Sequence, residues 1–271
     1  MPTLIRSGGG IAPLALLLAV LGAAAPRSQA AELATDAGEG AAAERTLASD
    51  IKAYFSAPLR WDAGDWAFLA GSVVAVGVAH HYDTQVRTHF LKLQSTPQSS
   101  KELQDFAPTA AVLGATWLYA AAIDNADGRR EAWNMVEAAG LSSVTVYALK
   151  FAVGRQGPDE TDNPNRWRKG GRSFPSEHAA AAFAVGAVLA ESGGDDYRWL
   201  RRLLGYGLGA GSAYLRLKHN AHWLSDTVAG AALGGATARF VLNRSEVDRV
   251  ARLGIEPVPG GALLTYTRQL P

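Results

Sequence analysis

The chain has 271 residues, of which 48% are hydrophobic and 19% are charged, and its formal net charge at pH 7 is +1. This length suffices for one sizeable domain with a short appendage. The balanced charge, without a strongly basic tract, gives no basis for a nucleic-acid partner. The chain contains no cysteine, which excludes disulfide bonds and thiolate metal sites.

The first 30 residues are typical of a signal peptide. Arg6 supplies a positive charge, residues 11–25 form an apolar run, and Ser28-Gln29-Ala30 offers small residues at a cleavage site. The apolar run is shorter than the ~20 residues of a membrane span, which favours cleavage near Ala30 over an uncleaved anchor. We therefore expect a mature protein in the periplasm or on another extracytoplasmic face of the envelope.

The remaining chain divides into a linker, a helical domain and a tail. Residues 31–50 are acidic and rich in alanine, and they predict a linker. Six alanine-rich apolar segments then favour helices over strands, at 66–79, 107–123, 132–153, 179–191, 199–215 and 223–242. They predict an all-α fold, a six-helix bundle over residues 51–245. In the tail, 246–271, Gly260-Gly261 lies between short apolar runs and is a candidate turn of a small hairpin.

The sequence leaves open whether these helices span a membrane. Glu137, Lys150 and Arg239 lie inside predicted helices, and the mean hydropathy is −0.01. Both observations favour a soluble or membrane-peripheral domain. The glycine- and alanine-rich stretch 230–238 suits close helix packing in lipid and in a soluble bundle equally well.

The first candidate site is the Pro175-Ser176-Glu177-His178 cluster, directly before the predicted helix 179–191. Proline suits the first turn of a helix, and serine can cap it. The free N–H groups of that turn and the positive end of the helix dipole form an anion site, with His178 beside it. An ordinary cap with an incidental histidine is the alternative, and this cluster alone does not decide between them.

The second cluster contains Arg216, His222 and Asp226. His222 and Asp226 are four positions apart, which places them on one face of a helix. A carboxylate that accepts from one imidazole nitrogen leaves the other nitrogen available as a nucleophile or base. Arg216 offers a planar, charged fork suited to two phosphate oxygens. An ordinary surface pair is the alternative for His222 and Asp226 considered alone.

A third cluster precedes both. Lys150 falls in the last turn of the predicted helix 132–153, and Arg155 follows it. Two cations at a helix C-terminus often interact only with the helix dipole. Their position before the loop that leads to Ser176 makes them candidate phosphate ligands. That loop includes the basic stretch 166–169, which is either solvated or contacts an anionic head group or membrane surface.

Together these clusters resemble the type 2 phosphatidic acid phosphatase superfamily, which also includes vanadium haloperoxidases and secreted bacterial acid phosphatases. The family pattern is Lys, six residues, Arg-Pro; then Pro-Ser-Gly-His; then Ser-Arg, five residues, His, three residues, Asp. The matching residues are Lys150, Pro158, Pro175, Ser176, His178, Arg216, His222 and Asp226. Three clusters in the family's order make the resemblance specific, and it covers roughly residues 61–242.

Three positions depart from the family pattern. Gly157 stands in place of the first-motif arginine, a phosphate clamp that Arg155 is expected to replace. Glu177 replaces a glycine and puts a carboxylate near an anion site, which weakens anion binding unless the side chain points outward. Leu215 replaces a serine and is expected mainly to pack. Gly157 and Glu177 support the alternative of a catalytically weakened phosphate-binding envelope protein.

The resemblance implies a metal-independent phosphatase acting on phosphate monoesters or lipid phosphates. By resemblance, His222 forms a phosphohistidine, Asp226 holds its imidazole, and His178 protonates the leaving oxygen. The residues implied to bind phosphate are Lys150, Arg155, Ser176 and Arg216. The resemblance implies no metal or other cofactor, and vanadate would bind as a phosphate mimic.

A vanadate-dependent haloperoxidase is the enzymatic alternative, although the family's haloperoxidases are larger. The expected partner is a phosphorylated small molecule or lipid head group, with contact to a membrane surface left open.

Overall fold

The computed structural model of the chain describes residues 47–93, 102–122, 126–193, 197–247, 251–258 and 261–268. Within these ranges it contains seven α-helices: α1 (Leu47–Ser56), α2 (Ala63–Leu93), α3 (Glu102–Ala122), α4 (Ala126–Val153), α5 (Glu177–Glu191), α6 (Arg198–Lys218) and α7 (Leu224–Val247). A short 3-10 helix, Ala57–Arg60, follows α1. The prediction of an all-α domain is confirmed, but the helix count is seven rather than six.

The additional helix, α1, begins inside the stretch predicted to be a linker. It is ten residues long, a length at which an isolated helix is marginal in water, so its stability depends on packing. Tyr54 provides that packing: its hydroxyl hydrogen-bonds Thr237 Oγ1 on α7 at 3.0 Å, and its ring meets the edge of Phe240. The predicted signal peptide and residues 31–46 of the predicted linker lie outside the described residues.

The tail carries a strand pair after α7. Strands β1 (Ala251–Val258) and β2 (Gly261–Arg268) run antiparallel, with Ala251 opposite Arg268 and Val258 opposite Gly261.

Helix α5 is the centre of the domain. Its residues from His178 to Val188 are all buried, and it packs against α4, α6 and α7. A helix that is apolar on every side must be surrounded by other elements, which explains this central position. Its alanines are small enough for the neighbouring helices to approach closely. Phe183 fills the core shared with α2, α6 and α7, and Val188 fills the core shared with α4 and α7.

Glycines bring the backbones of α6 and α7 directly onto α5. A Cβ atom at Gly205 of α6 would lie 2.1 Å from the carbonyl oxygen of Gly186 on α5. A Cβ at Gly230 of α7 would lie 2.5 Å from the carbonyl oxygen of Ser176, directly before α5. These contacts hold the start of α5 next to the first two turns of α7.

Helices α2 and α4 are long and apolar enough to cross a membrane, by length and composition only. Only 17% of the most apolar window of α2 and 28% of that of α4 are buried. Large apolar side chains, including Trp66 and Val73 on α2 and Val144 and Phe151 on α4, are more than half exposed. Contiguous exposed apolar surface of this kind marks contact with lipid or with another protein.

We predict that Gly205→Ala destabilises the fold, because its Cβ would overlap the Gly186 carbonyl. Overpacking of this kind costs about 1–3 kcal/mol, and a backbone obstacle favours the upper end of that range. The measurement is the free energy of unfolding of the purified protein. Gly207→Ala on the same helix is the matched control: its Cβ meets nothing within 4 Å, so the change should be neutral or stabilising. Equal stability of the two variants would contradict the close helix contact.

Candidate active site

The carboxylate of Asp226 is the best-connected group of the candidate site. It is completely buried in the first turn of α7. Its Oδ2 accepts hydrogen bonds from the backbone N–H of Trp223 at 3.0 Å and from the hydroxyl of Ser173. Its Oδ1 accepts a hydrogen bond from Arg155 at 2.5 Å. The ring nitrogen Nδ1 of His222 lies 3.6 Å from Oδ2.

His222 and Asp226 do not share a helix face, which differs from the prediction. Helix α7 begins at Leu224, so His222 lies in the turn before it. Asp226 is the third residue of α7. Its carboxylate accepts a hydrogen bond from the backbone N–H of Trp223, the residue directly before the helix, as in a capping box. Helix capping therefore aims the carboxylate at His222. The 3.6 Å contact is longer than a hydrogen bond, and we treat it as electrostatic.

Burial lowers the pKa of the His222 imidazole below its ordinary value of 6.5. Asp226 opposes this effect, while the positive charges of Arg216 and Lys150 add to it. The ring is therefore neutral under conditions in which a free histidine is partly protonated. The same observation places both cations close enough to His222 for their charges to act on it.

Burial by itself raises the pKa of the Asp226 carboxyl, but its interactions with His222, Arg155 and Ser173 together outweigh burial and hold this pKa below the ordinary value. Asp226 is therefore ionised at neutral pH. A negative charge facing Nδ1 of a neutral imidazole favours the tautomer with the proton on Nδ1. The lone pair then lies on Nε2, the nitrogen that faces away from Asp226.

Two of the three predicted cations come from the last turn of a helix. Lys150 lies in the last turn of α4, and its Nζ donates to the backbone carbonyl of Arg172 at 2.5 Å. Arg216 lies in the last turn of α6, and only 2% of its surface is exposed. Their roles as phosphate ligands remain predictions.

The Pro-Ser-Glu-His cluster lies against the start of α7. The N–H of Ser176 donates to the backbone carbonyl of Asp226 at 3.0 Å. The hydroxyl of Ser176 caps α5 by accepting from the N–H of Ala179 at 3.5 Å. His178 occupies the first turn of α5, and its ring stacks on Phe106 of α3 with 3.8 Å between centroids. No sequence pattern indicated that Phe106 contacts His178, since only the fold brings α3 over the first turn of α5.

The structure does not place Arg155 where the sequence analysis expected it. The side chain is completely buried behind Asp226, not beside Lys150 and Arg216 as a phosphate ligand. Besides Asp226, its guanidinium donates to Ser225 Oγ at 2.8 Å and to Asp83 Oδ2 at 2.7 Å. It also donates twice to the carbonyl of Pro164, and it lies 4.2 Å from the ring centroid of Trp167. Arg155 is therefore a positioning residue for Asp226.

Asp83 is a site-supporting residue that the sequence analysis missed. It lies on α2 and is completely buried. Its Oδ1 accepts from the N–H of Ser225 at 2.8 Å, and its Oδ2 accepts from the Ser225 hydroxyl at 2.7 Å and from Arg155. It therefore ties α2 to the first turn of α7. An acidic residue within a long apolar helix was the one available sequence clue.

Two departures from the family pattern border the site. A Cβ at Gly157 would lie 3.5 Å from Ser173 Oγ and 3.6 Å from the carbonyl oxygen of Ala221, next to His222. The position of the missing arginine is therefore beside the site, although Arg155 does not occupy it. Glu177 lies in the first turn of α5 and is partly exposed. Among the described residues, no group of three or more Asp, Glu or His side chains could hold a metal ion.

Comparison with known proteins agrees with this arrangement. Residues 131–247 match the PAP2 superfamily, and this segment contains all three clusters. Over 112 residues the chain is 31% identical to the lipid A 1-phosphatase of Porphyromonas gingivalis; the match covers 40% of this chain and 23% of that protein, less than a quarter of its length. The crystal structure of LpxE from Aquifex aeolicus matches with a TM-score of 0.34 and 21% identity, over 54% of this chain and 89% of that one.

We predict that the imidazole of His222 titrates with a midpoint below pH 6.5 in the folded protein, since burial lowers its pKa. NMR of histidine-labelled protein measures the midpoint, and loss of the signal in His222→Asn identifies the ring. A midpoint at or above 6.5 would mean that the charge of Asp226 outweighs burial.

We also predict that Arg155→Met strongly destabilises the protein, because it leaves the buried carboxylates of Asp83 and Asp226 without their shared cation. Breaking a buried ion pair in this way costs about 3–5 kcal/mol of unfolding free energy. Arg166→Met is the control on the same loop. Arg166 is exposed and its side chain donates a hydrogen bond to Gln156, so the unfolding free energy should change by no more than about 0.5 kcal/mol.

A double-mutant cycle separates this ion pair from general loss of packing. Asp83→Asn should destabilise the Arg155→Met background less than it destabilises the unmodified protein, since its partner is already absent. Additive losses would show that the two residues do not act together.

Proposed function

We propose that this chain is a phosphatase that hydrolyses phosphate monoesters through a covalent phosphohistidine on His222. One observation supports this most directly. The buried, neutral imidazole of His222 directs Nδ1 at the ionised carboxylate of Asp226, while the charges of two nearby cations lower the pKa of the same ring. A nucleophile needs an available lone pair, and a phosphoryl group needs positive charge beside it. His222 with Asp226, Lys150 and Arg216 meets both needs.

In the first step, Nε2 of His222 attacks phosphorus in line with the leaving oxygen. A P–N bond forms as the P–O bond to the leaving group breaks, and His178 donates a proton to that oxygen. Lys150 and Arg216 balance the charge on the non-bridging oxygens, together with the positive end of the α5 dipole. Asp226 stabilises the positive charge that develops on the imidazole.

In the second step, water attacks the phosphohistidine. His178 takes a proton from the water, the P–N bond breaks, and inorganic phosphate leaves. His222 returns to its neutral form and His178 to its protonated form, so atoms and charge balance over the cycle. The proposed reaction uses no cofactor.

The proposed substrate class is a phosphorylated lipid, with the protein acting in the cell envelope at a membrane. Two observations support this: the partial match to a protein named lipid A 1-phosphatase, and the exposed apolar surfaces of α2 and α4. The signal peptide and the periplasmic location expected from the first 30 residues are part of the same proposal. A lipid phosphate would place its head group at His222 and its hydrocarbon part in apolar surroundings.

We predict that His222→Asn lowers phosphate release from a phosphate monoester by at least roughly a thousandfold, because it removes the nucleophile. The measurement is the rate of inorganic phosphate release. His89→Asn, on the exposed surface of α2, should retain the full rate. Orthovanadate, a phosphate mimic, should inhibit the unmodified protein.

The intermediate provides a direct test. Rapid quenching with a ³²P-labelled substrate should yield a protein adduct that is stable to base and labile to acid, and that is lost in His222→Asn. Equal phosphate release by the unmodified protein and His222→Asn would contradict the proposal and favour a phosphate-binding protein without catalysis. Bromide oxidation with peroxide and bound vanadate would favour the haloperoxidase instead.

A further inference from the structure

His80 contacts the buried ion-pair network behind Asp226 from its outer edge. It lies on α2, three positions before Asp83, and 30% of its side chain is exposed, whereas the side chains of Asp83 and Arg155 are completely buried. Its Nδ1 lies 2.9 Å from Oδ2 of Asp83 and 3.1 Å from Nη2 of Arg155. Its Nε2 lies 2.9 Å from the side-chain amide of Asn165. The proposed hydrolysis does not use this histidine.

The hydrogen bonds of Arg155 determine which nitrogen of His80 carries a proton. A guanidinium has five N–H groups, and all five donate here. Their acceptors are Pro164 for Nε, Ser225 and Asp226 for Nη1, and Asp83 and again Pro164 for Nη2. Arg155 therefore has no N–H group left for His80. A carboxylate can only accept, so Nδ1 of His80 carries a proton and donates a hydrogen bond to Oδ2 of Asp83.

Asp83 and Asp226 compete for the one guanidinium of Arg155. Nη2 lies 2.7 Å from Asp83 and Nη1 lies 2.5 Å from Asp226, so both carboxylates attract the same buried cation. A hydrogen bond to a carboxylate stabilises its negative charge and so reduces its attraction for a further cation. The hydrogen bond from His80 to Asp83 therefore leaves more of the positive charge of Arg155 to Asp226.

We propose that His80 is a positioning residue for the candidate nucleophile, His222. Its Nδ1–H group stabilises Asp83 and so keeps the guanidinium of Arg155 on Asp226. The inference rests on the proposed phosphatase function and adds to it a residue outside the candidate site. No contact between His80 and His222 is found in the described part of the chain, so the effect passes through the buried network. Without the Nδ1–H group, Arg155 moves toward Asp83. Asp226 then keeps more of its negative charge, and His222 binds a proton more strongly.

Two substitutions of His80 separate its two ring nitrogens. In His80→Asn, the amide nitrogen takes the position of Nδ1 and keeps a donor for Asp83. In His80→Gln, the longer side chain places its amide at the position of Nε2, near Asn165, and the donor for Asp83 is lost. With p-nitrophenyl phosphate, we expect kcat to fall by about three- to tenfold in His80→Gln while KM stays within about twofold, because Lys150 and Arg216 are not affected. His80→Asn should keep kcat within about twofold of the unmodified protein.

Stability measurements separate positioning from a merely structural role. Each substitution removes one of the two hydrogen bonds of His80, so a structural role alone predicts similar losses of unfolding free energy and equal kcat values. His81→Gln is the matched control, because His81 is exposed on α2 and its ring packs on Tyr82, outside the network. It should leave kcat within about twofold of the unmodified protein. Equal kcat values of His80→Asn and His80→Gln would overturn the proposal while the phosphatase function stands.

NMR of histidine-labelled protein tests the same effect without turnover. In the unmodified protein, the ¹⁵N signals of His80 should show a proton on Nδ1, and a proton on Nε2 alone would overturn the proposal without any substitution. The titration midpoint of His222 should lie at higher pH in His80→Gln than in the unmodified protein, and it should be unchanged in His80→Asn. These results support the proposal even if no phosphate is released, in which case the proposed function fails instead. A midpoint that His80→Gln leaves in place would overturn it.

Discussion

The buried negative charge of Asp226 is the constraint on which the rest of the site depends. An ionised carboxylate without contact to water is costly unless charged and hydrogen-bonding partners surround it. Here the partners are Arg155 and the hydroxyl of Ser173, both from the loop before α5, and the N–H of Trp223 in the turn before α7. Asp83 extends the network to α2. Satisfying one carboxylate therefore joins α2, the loop before α5 and the start of α7 at one point.

The central helix supplies the second half of the site. Because α5 is buried on all sides, its position follows from the packing of its neighbours, and glycines of α6 and α7 fix the distances. Its N-terminus emerges where Ser176 bonds the backbone carbonyl of Asp226. The first turn of α5, with His178, consequently lies beside the start of α7. A rigid, fully packed helix positions these groups more accurately than a loop does.

The site lies where polar and apolar surroundings meet. On one side are buried cations and the ionised carboxylate, and on the other is the exposed apolar surface of α2. An amphiphilic phosphate has the same two-part character. The chain also departs here from the PAP2 pattern that it resembles, since Arg155 supports Asp226 from behind while position 157, beside the site, has no side chain. Positive charge near His222 therefore comes from Lys150 and Arg216.

The sequence by itself determined the helical class and most helix positions, and it indicated His222, Asp226 and His178 as candidate site residues, since composition, periodicity and motif spacing are local properties. It could not determine the seventh helix, the buried contacts that Arg155 makes, or the contacts of Asp83 and Phe106 with the candidate site. Asp83 meets Ser225 across 142 positions, and α1 is held by Tyr54 on Thr237 across 183 positions. Such contacts depend on how whole helices pack, so only the tertiary structure decided which buried charges become partners.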